Sequence, residues 1–177
     1  AWPALRGQVF AEATEIFLRL LRGDELSSDD VRETWLTRAN FRSDEDWQAV
    51  KQAAGDLHAE RIQIDRRWVF DVLKIIPSDW RRELLDLVIG SHDPRLQEDV
   101  NQYMPVKVFN LSITQPDVID ATHARMETAF HPKGGPWKRH YMPRTVMVFL
   151  NEDSGLTPSQ RSARAHEEAR SALGAYW

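Results

Sequence analysis

A chain of 177 residues with 42% hydrophobic residues, a net charge of −4 and no cysteine is long enough to bury a core without covalent staples. The missing cysteines exclude disulfides, thiolate zinc centres and a cysteine nucleophile. Residues 1–100 carry 20 acidic and 14 basic side chains against 7 and 9 in the remainder, so the N-terminal part repels phosphate backbones and counts against nucleic acid as the main partner.

No apolar run approaches the roughly twenty residues that cross a bilayer, and no membrane span is expected. The sequence begins at Ala1 without an initiator methionine or a signal-peptide pattern. It reads as a processed product, with a removed mitochondrial presequence as one route to it.

Ala4 to Arg22 predicts the first helix, because Val9, Ala13, Ile16, Phe17, Leu20 and Leu21 form an apolar stripe at helical spacing. Gly23 supplies its stop. Ser27 or Ser28, followed by Asp29 and Asp30, suits the start of a second helix presenting Val31, Trp35 and Leu36. Ser43-Asp-Glu-Asp46 opens a third, with Trp47, Val50, Ala53, Ala54 and Leu57 on its apolar face. A fourth is expected over 65–76, a fifth over 80–89 after Pro77-Ser78-Asp79, and a sixth from Pro94 to about Tyr103.

Beyond Pro105 the pattern changes. Val106, Val108, Phe109, Leu111 and Ile113 predict an extended segment, and Gln115-Pro-Asp117 starts a helix through Phe130. Residues 131–144 read as a loop with four Lys or Arg side chains and no acid, and Thr145 to Leu150 is apolar and β-prone. A last helix over 160–175 has only the thin seam of Ala163, Ala169, Ala172 and Leu173, which suits a helix laid across a partner.

Catalytic and metal-binding patterns are missing. His166-Glu-Glu-Ala-Arg170 lacks the second histidine one turn on, and His123, His131 and His140 have only Glu127 at helical spacing. No nucleophile elbow, phosphate loop or dinucleotide fingerprint occurs. The expectation is no catalytic residue, no metal and no cofactor. The most pointed stretch is the basic loop, where Lys133, Trp137, Lys138, Arg139 and Tyr141, together with Tyr176 and Trp177 at the end of the chain, are the candidate protein-binding residues. The same loop would suit stacking on bases, or could fold back with Trp137 tucked into its own domain.

The stretch from Ala11 to Leu73 can be written twice at an offset of 36 positions, with Ala13 on Ala49, Leu21 on Leu57, Leu26 on Ile62 and Asp29 on Asp65. With Trp35 and Phe70, these residues resemble the pentatricopeptide repeat family. The resemblance implies a mainly α fold of two to three stacked helical hairpins over 1–104, with a mixed extension over 105–177. Most members bind single-stranded RNA, which here would mean mitochondrial RNA processing or the mitoribosome. A short, acidic, pentatricopeptide-like chain with a non-repetitive tail is similar instead to the small accessory subunit on the catalytic head of the euglenozoan mitochondrial ATP synthase. That implies a non-catalytic, matrix-side structural subunit gripping a protein neighbour. Ile16-Phe-Leu-Arg19 with Asn40-Phe-Arg42 also resembles the Leu-Tyr-Arg family, whose members dock acyl carrier protein in respiratory complexes.

Overall fold

The computed structural model describes residues 2–174. Among them are five α-helices and four short strands: α1 (Trp2–Arg22), β1 (Trp35–Thr37), α2 (Asp44–Ala54), β2 (Arg61–Gln63), β3 (Leu87–Ile89), α3 (Pro94–Val100), β4 (Val106–Val108), α4 (Pro116–Ala129) and α5 (Pro158–Gly174).

Three apolar clusters all take side chains from α1. Leu5 and Val9 pack with Leu36 and Trp47; Ile16 and Leu20 with Leu26, Val31, Trp68 and Phe70; Ala11 and Leu18 with the C-terminal half. The helix ends where expected. Gly23 adopts φ 107°, and the N–H groups of Gly23 and Asp24 both return to the Arg19 carbonyl, at 3.2 and 3.0 Å.

The stacked hairpins do not form, and the chain is a mixed α and β fold. In place of a second helix, Ser28–Asp30 makes one 3₁₀ turn and Trp35–Thr37 pairs antiparallel with β2, Leu36 opposite Ile62. The run Thr34-Trp-Leu-Thr37 is rich in β-branched and aromatic residues, which suit a pleated, half-buried surface better than a helix. Nor is residues 65–76 helical. Its backbone is held extended by Leu26, which exchanges N–H···O bonds with Leu73 at 2.9 and 2.7 Å, and by the Ser28 hydroxyl, which accepts from Phe70 N at 2.6 Å. Residues 80–89 give a 3₁₀ turn at Arg82–Leu84 and then β3. Two of the pairs aligned by the repeat differ in environment: Leu21 is buried and Leu57 exposed, Ala13 half-buried on α1 and Ala49 exposed on α2.

Other starts follow their local chemistry. The Ser43 hydroxyl accepts from Asp46 N at 3.1 Å to open α2, Asp93 and Pro94 open α3, and Pro116 sits in the first turn of α4.

The largest cluster draws on both sides of residue 105. Strands β3 and β4 pair in parallel, Leu87 with Val106 and Ile89 with Val108, with α3 as their crossover. Leu18, Ile89, Leu96, Val100, Val106, Val108, Met126 and Met142 close around them. The chain then returns beside β4, where Asn110 N donates to Pro143 O at 2.9 Å and Thr145 N to Asn110 O at 3.2 Å. Beyond this point residues 146–150 make no backbone hydrogen bond among the described residues. Helix α5 turns Ala165, Ala169 and Leu173 towards Met147, Phe149 and Leu150 across an open trough of about 540 Å³, whereas Ala163 and Ala172 of the expected seam are exposed. No helix of the described residues is long and apolar enough to cross a membrane.

Candidate functional site

The basic loop is built outward from the end of α4. The His131 N–H donates to Asn101 Oδ1 at 3.2 Å, and His131 Nδ1 accepts from Lys133 N at 3.1 Å to cap a 3₁₀ turn over Pro132–Gly134. Gly134 lies flat on Phe130. A Cβ there would fall 2.4 Å from Phe130 Cε1 and 2.9 Å from Pro105 Cβ, so only glycine lets the turn close on this ring.

Trp137 is half-buried and edge-on to Phe130 and Tyr141, with ring centroids 5.0 and 5.6 Å away. Its Nε1–H donates to His123 Nδ1 at 3.0 Å. Arg139 pairs with Asp120 on α4 at 2.7 Å. Of the residues expected to contact a partner, Trp137 and Arg139 therefore make intramolecular contacts, and Lys138 is exposed. Lys133 and Tyr141 are brought into a cleft. Tyr176 and Trp177 lie outside the described residues.

That cleft has a volume of about 700 Å³ and runs between the end of α1, the segment around β3, residues 103–107 and the basic loop. Its cations are held by different means. Arg22 donates to both oxygens of Asp24, Nε at 2.9 Å and Nη2 at 2.5 Å, and lies 5.7 Å from the Tyr103 ring centroid. The hydrogen bond to Asp24 raises the Arg22 pKa further and holds the Asp24 carboxyl below the usual carboxylate range. Arg82 spends Nε on Leu21 O at 2.9 Å and Nη1 on Ser78 O at 2.7 Å, and rests against Trp80 at 4.8 Å. Lys107 bonds to Asp86 at 2.8 Å and covers the Tyr141 ring at 4.8 Å.

Burial pushes the His131 pKa down, and the positive charges of Lys133 and Arg22 add to the effect. With Nδ1 accepting from the backbone, the neutral ring carries its proton on Nε2 and is a donor there.

Arg22, Arg82, Tyr103 and Lys107 are the cleft residues that the sequence pattern leaves unmarked. They come from three separate segments, and no motif links them.

A second polar centre is buried under α1. Glu12 receives the Thr34 hydroxyl, Trp68 Nε1 at 3.1 Å and Arg67 Nη2 at 2.5 Å. This arrangement ties α1 to two extended segments and so has a structural role; one unpaired partner here would leave a buried charge. No group of three or more His, Asp or Glu that could hold a metal ion occurs among the described residues.

Comparison with family models, with curated proteins and with solved structures returns no match for this chain.

Proposed function

We propose that the chain is a non-catalytic accessory subunit that binds a larger protein complex through its extended segments. The observation that carries this reading is exposed area. A compact monomer of 20.5 kDa exposes about 8,800 Å², whereas this chain exposes 12390 Å². The excess is several times the roughly 800 Å² that each partner contributes to a standard interface.

Much of the surplus is apolar side chain on backbone outside helices and strands. Val69 and Ile76 are each 79% exposed, Val146 and Val148 each 72%, and Leu150 73%. The exposed apolar run over residues 146–150 is the part that marks an interaction surface. Its alternation over Val146, Val148 and Leu150, on backbone with no hydrogen-bond partner, suits strand addition to the sheet edge of a protein neighbour. The tied-down Trp137 and Arg139 weigh against stacking of the loop on RNA bases.

For the complex, the mitochondrial ATP synthase is the choice that the likeness to its small pentatricopeptide-like accessory subunit implies, and the matrix is the compartment that goes with it. The helical hairpins that the same resemblance implied take no part in this proposal. The test is native electrophoresis and gel filtration of the full tagged chain expressed in mitochondria. Co-migration with the catalytic head of the synthase is expected; a free monomer, or a tight and steeply salt-dependent complex with RNA, would overturn the reading.

A further inference from the structure

We infer that the cleft between Arg22, Arg82 and the basic loop is a binding site for a small molecule that joins a phosphate-type dianion to an apolar or aromatic body. This goes beyond the docking role.

The first step is donor accounting. Among the described residues, Arg82 Nη2, Arg22 Nη1 and the Lys133 ammonium have no acceptor, although each belongs to a residue lining one cavity. His131 Nε2–H adds a neutral donor, because Nδ1 is taken by Lys133 N. Four donors without acceptors in one cleft favour an anion over a neutral polar group.

Charge sets the valence. The lining includes four permanent cations, Arg22, Arg82, Lys107 and Lys133, and two carboxylates, Glu83 and Asp86. Asp86 is spent on Lys107 and Glu83 on Arg81. With Arg22 paired to Asp24, Arg82 and Lys133 are the two lining cations left without a carboxylate among the described residues, and a dianion balances them.

The remaining lining gives the body. Leu85, Leu87, Met104, Pro105 and the rings of Tyr103 and Phe130 provide apolar surface. A volume of about 700 Å³ is within the range of small-molecule sites, roughly 300–1,000 Å³, and far more than a bare phosphate fills. A polynucleotide would need a basic track continuing beyond the cleft, on a chain whose net charge is −4.

Isothermal titration of the full chain with adenosine monophosphate, adenosine, ribose 5-phosphate and inorganic phosphate tests the inference. Adenosine monophosphate should bind, and removing either its phosphate or its ring should weaken binding by about tenfold or more. Lys133→Glu, at an exposed side chain with no partner, should abolish binding, while Lys138→Glu, the same charge change outside the cleft, should leave it within about twofold. Arg82→Ala should also abolish it; should that variant unfold through loss of the contacts to Leu21 and Ser78, Lys133→Glu against Lys138→Glu still decides. No binding of adenosine monophosphate or phosphate, equal loss in both lysine variants, or tighter binding of a single-stranded oligonucleotide would each overturn the inference.

Discussion

Asn101 and Val106 close a two-way pair. The Asn101 Nδ2 donates to Val106 O at 2.9 Å, and Val106 N donates to Asn101 Oδ1 at 3.1 Å. The same carboxamide also donates to Gln97 O at 3.0 Å and accepts from His131 N at 3.2 Å. One side chain, 3% exposed, thus joins α3, β4 and the loop that forms the cleft wall. Asn101→Ala would leave the N–H groups of Val106 and His131 and two carbonyls without their partner. Each unsatisfied buried group costs on the order of 1–3 kcal/mol, so a loss of about 3 kcal/mol is expected. Urea unfolding followed by far-UV circular dichroism measures it, and a loss below about 1 kcal/mol would mean that water takes the vacated positions.

Trp137 and Arg139, adjacent to the same lysine, differ in what they do. Trp137 is held by two rings and by His123, so Trp137→Ala should destabilise the fold by about 2 kcal/mol, less than a fully buried tryptophan would. Arg139 meets Asp120 with both side chains more than half exposed, and Arg139→Ala should change stability by no more than about 1 kcal/mol. Paired thermal melts separate the two. Equal effects would place both residues in one role and contradict the observed geometry.

These two residues also illustrate how far the sequence can be read. Their composition pointed to contact chemistry, but whether the contacts are internal depends on Phe130, Tyr141, His123 and Asp120, and only folding places these beside them. Local chemistry was readable: Gly23 stops α1, Ser43 starts α2, Pro94 and Pro116 start α3 and α4. Residues 31–37 and 65–76 were not. Val31, Trp35 and Leu36 satisfy helical spacing, but their β-branched and aromatic surroundings and the distant partners Ile62 and Leu73 decide for extended backbone. The cleft was half legible for the same reason. Lys133 and Tyr141 stood out in a basic loop, whereas Arg22, Arg82 and Lys107 reach it only through tertiary contacts.

Acid should weaken the fold through His131. Burial and two neighbouring cations hold its pKa below the ordinary 6.5, so the unfolded chain takes up a proton at a higher pH than the folded one. Stability is then unaffected by this group above pH 6.5 and falls as pH drops from there towards the folded pKa. His131→Gln should flatten that part of the stability profile. Denaturation at a series of pH values between neutral and mildly acidic compares the two proteins, and an unchanged slope in the variant would assign the acid sensitivity to other groups.

The segment Val146–Leu150 offers the sharpest test of docking, because its backbone N–H and C=O groups have no protein partner among the described residues. Such amides exchange with solvent freely in the isolated chain. If they pair with a sheet edge of the complex, their exchange should slow markedly on assembly, while the amides of α4 stay as they are. Val148→Pro removes one N–H from the strand and cannot join a central ladder. Since Val148 is 72% exposed and its N–H has no acceptor, the free chain should lose less than about 0.5 kcal/mol. The same substitution should sharply reduce the fraction of chain that enters the complex. A Val148→Pro chain that assembles as well as the original would show that this segment is not the strand that docks, and unchanged exchange at 146–150 in the assembled state would show the same without any substitution.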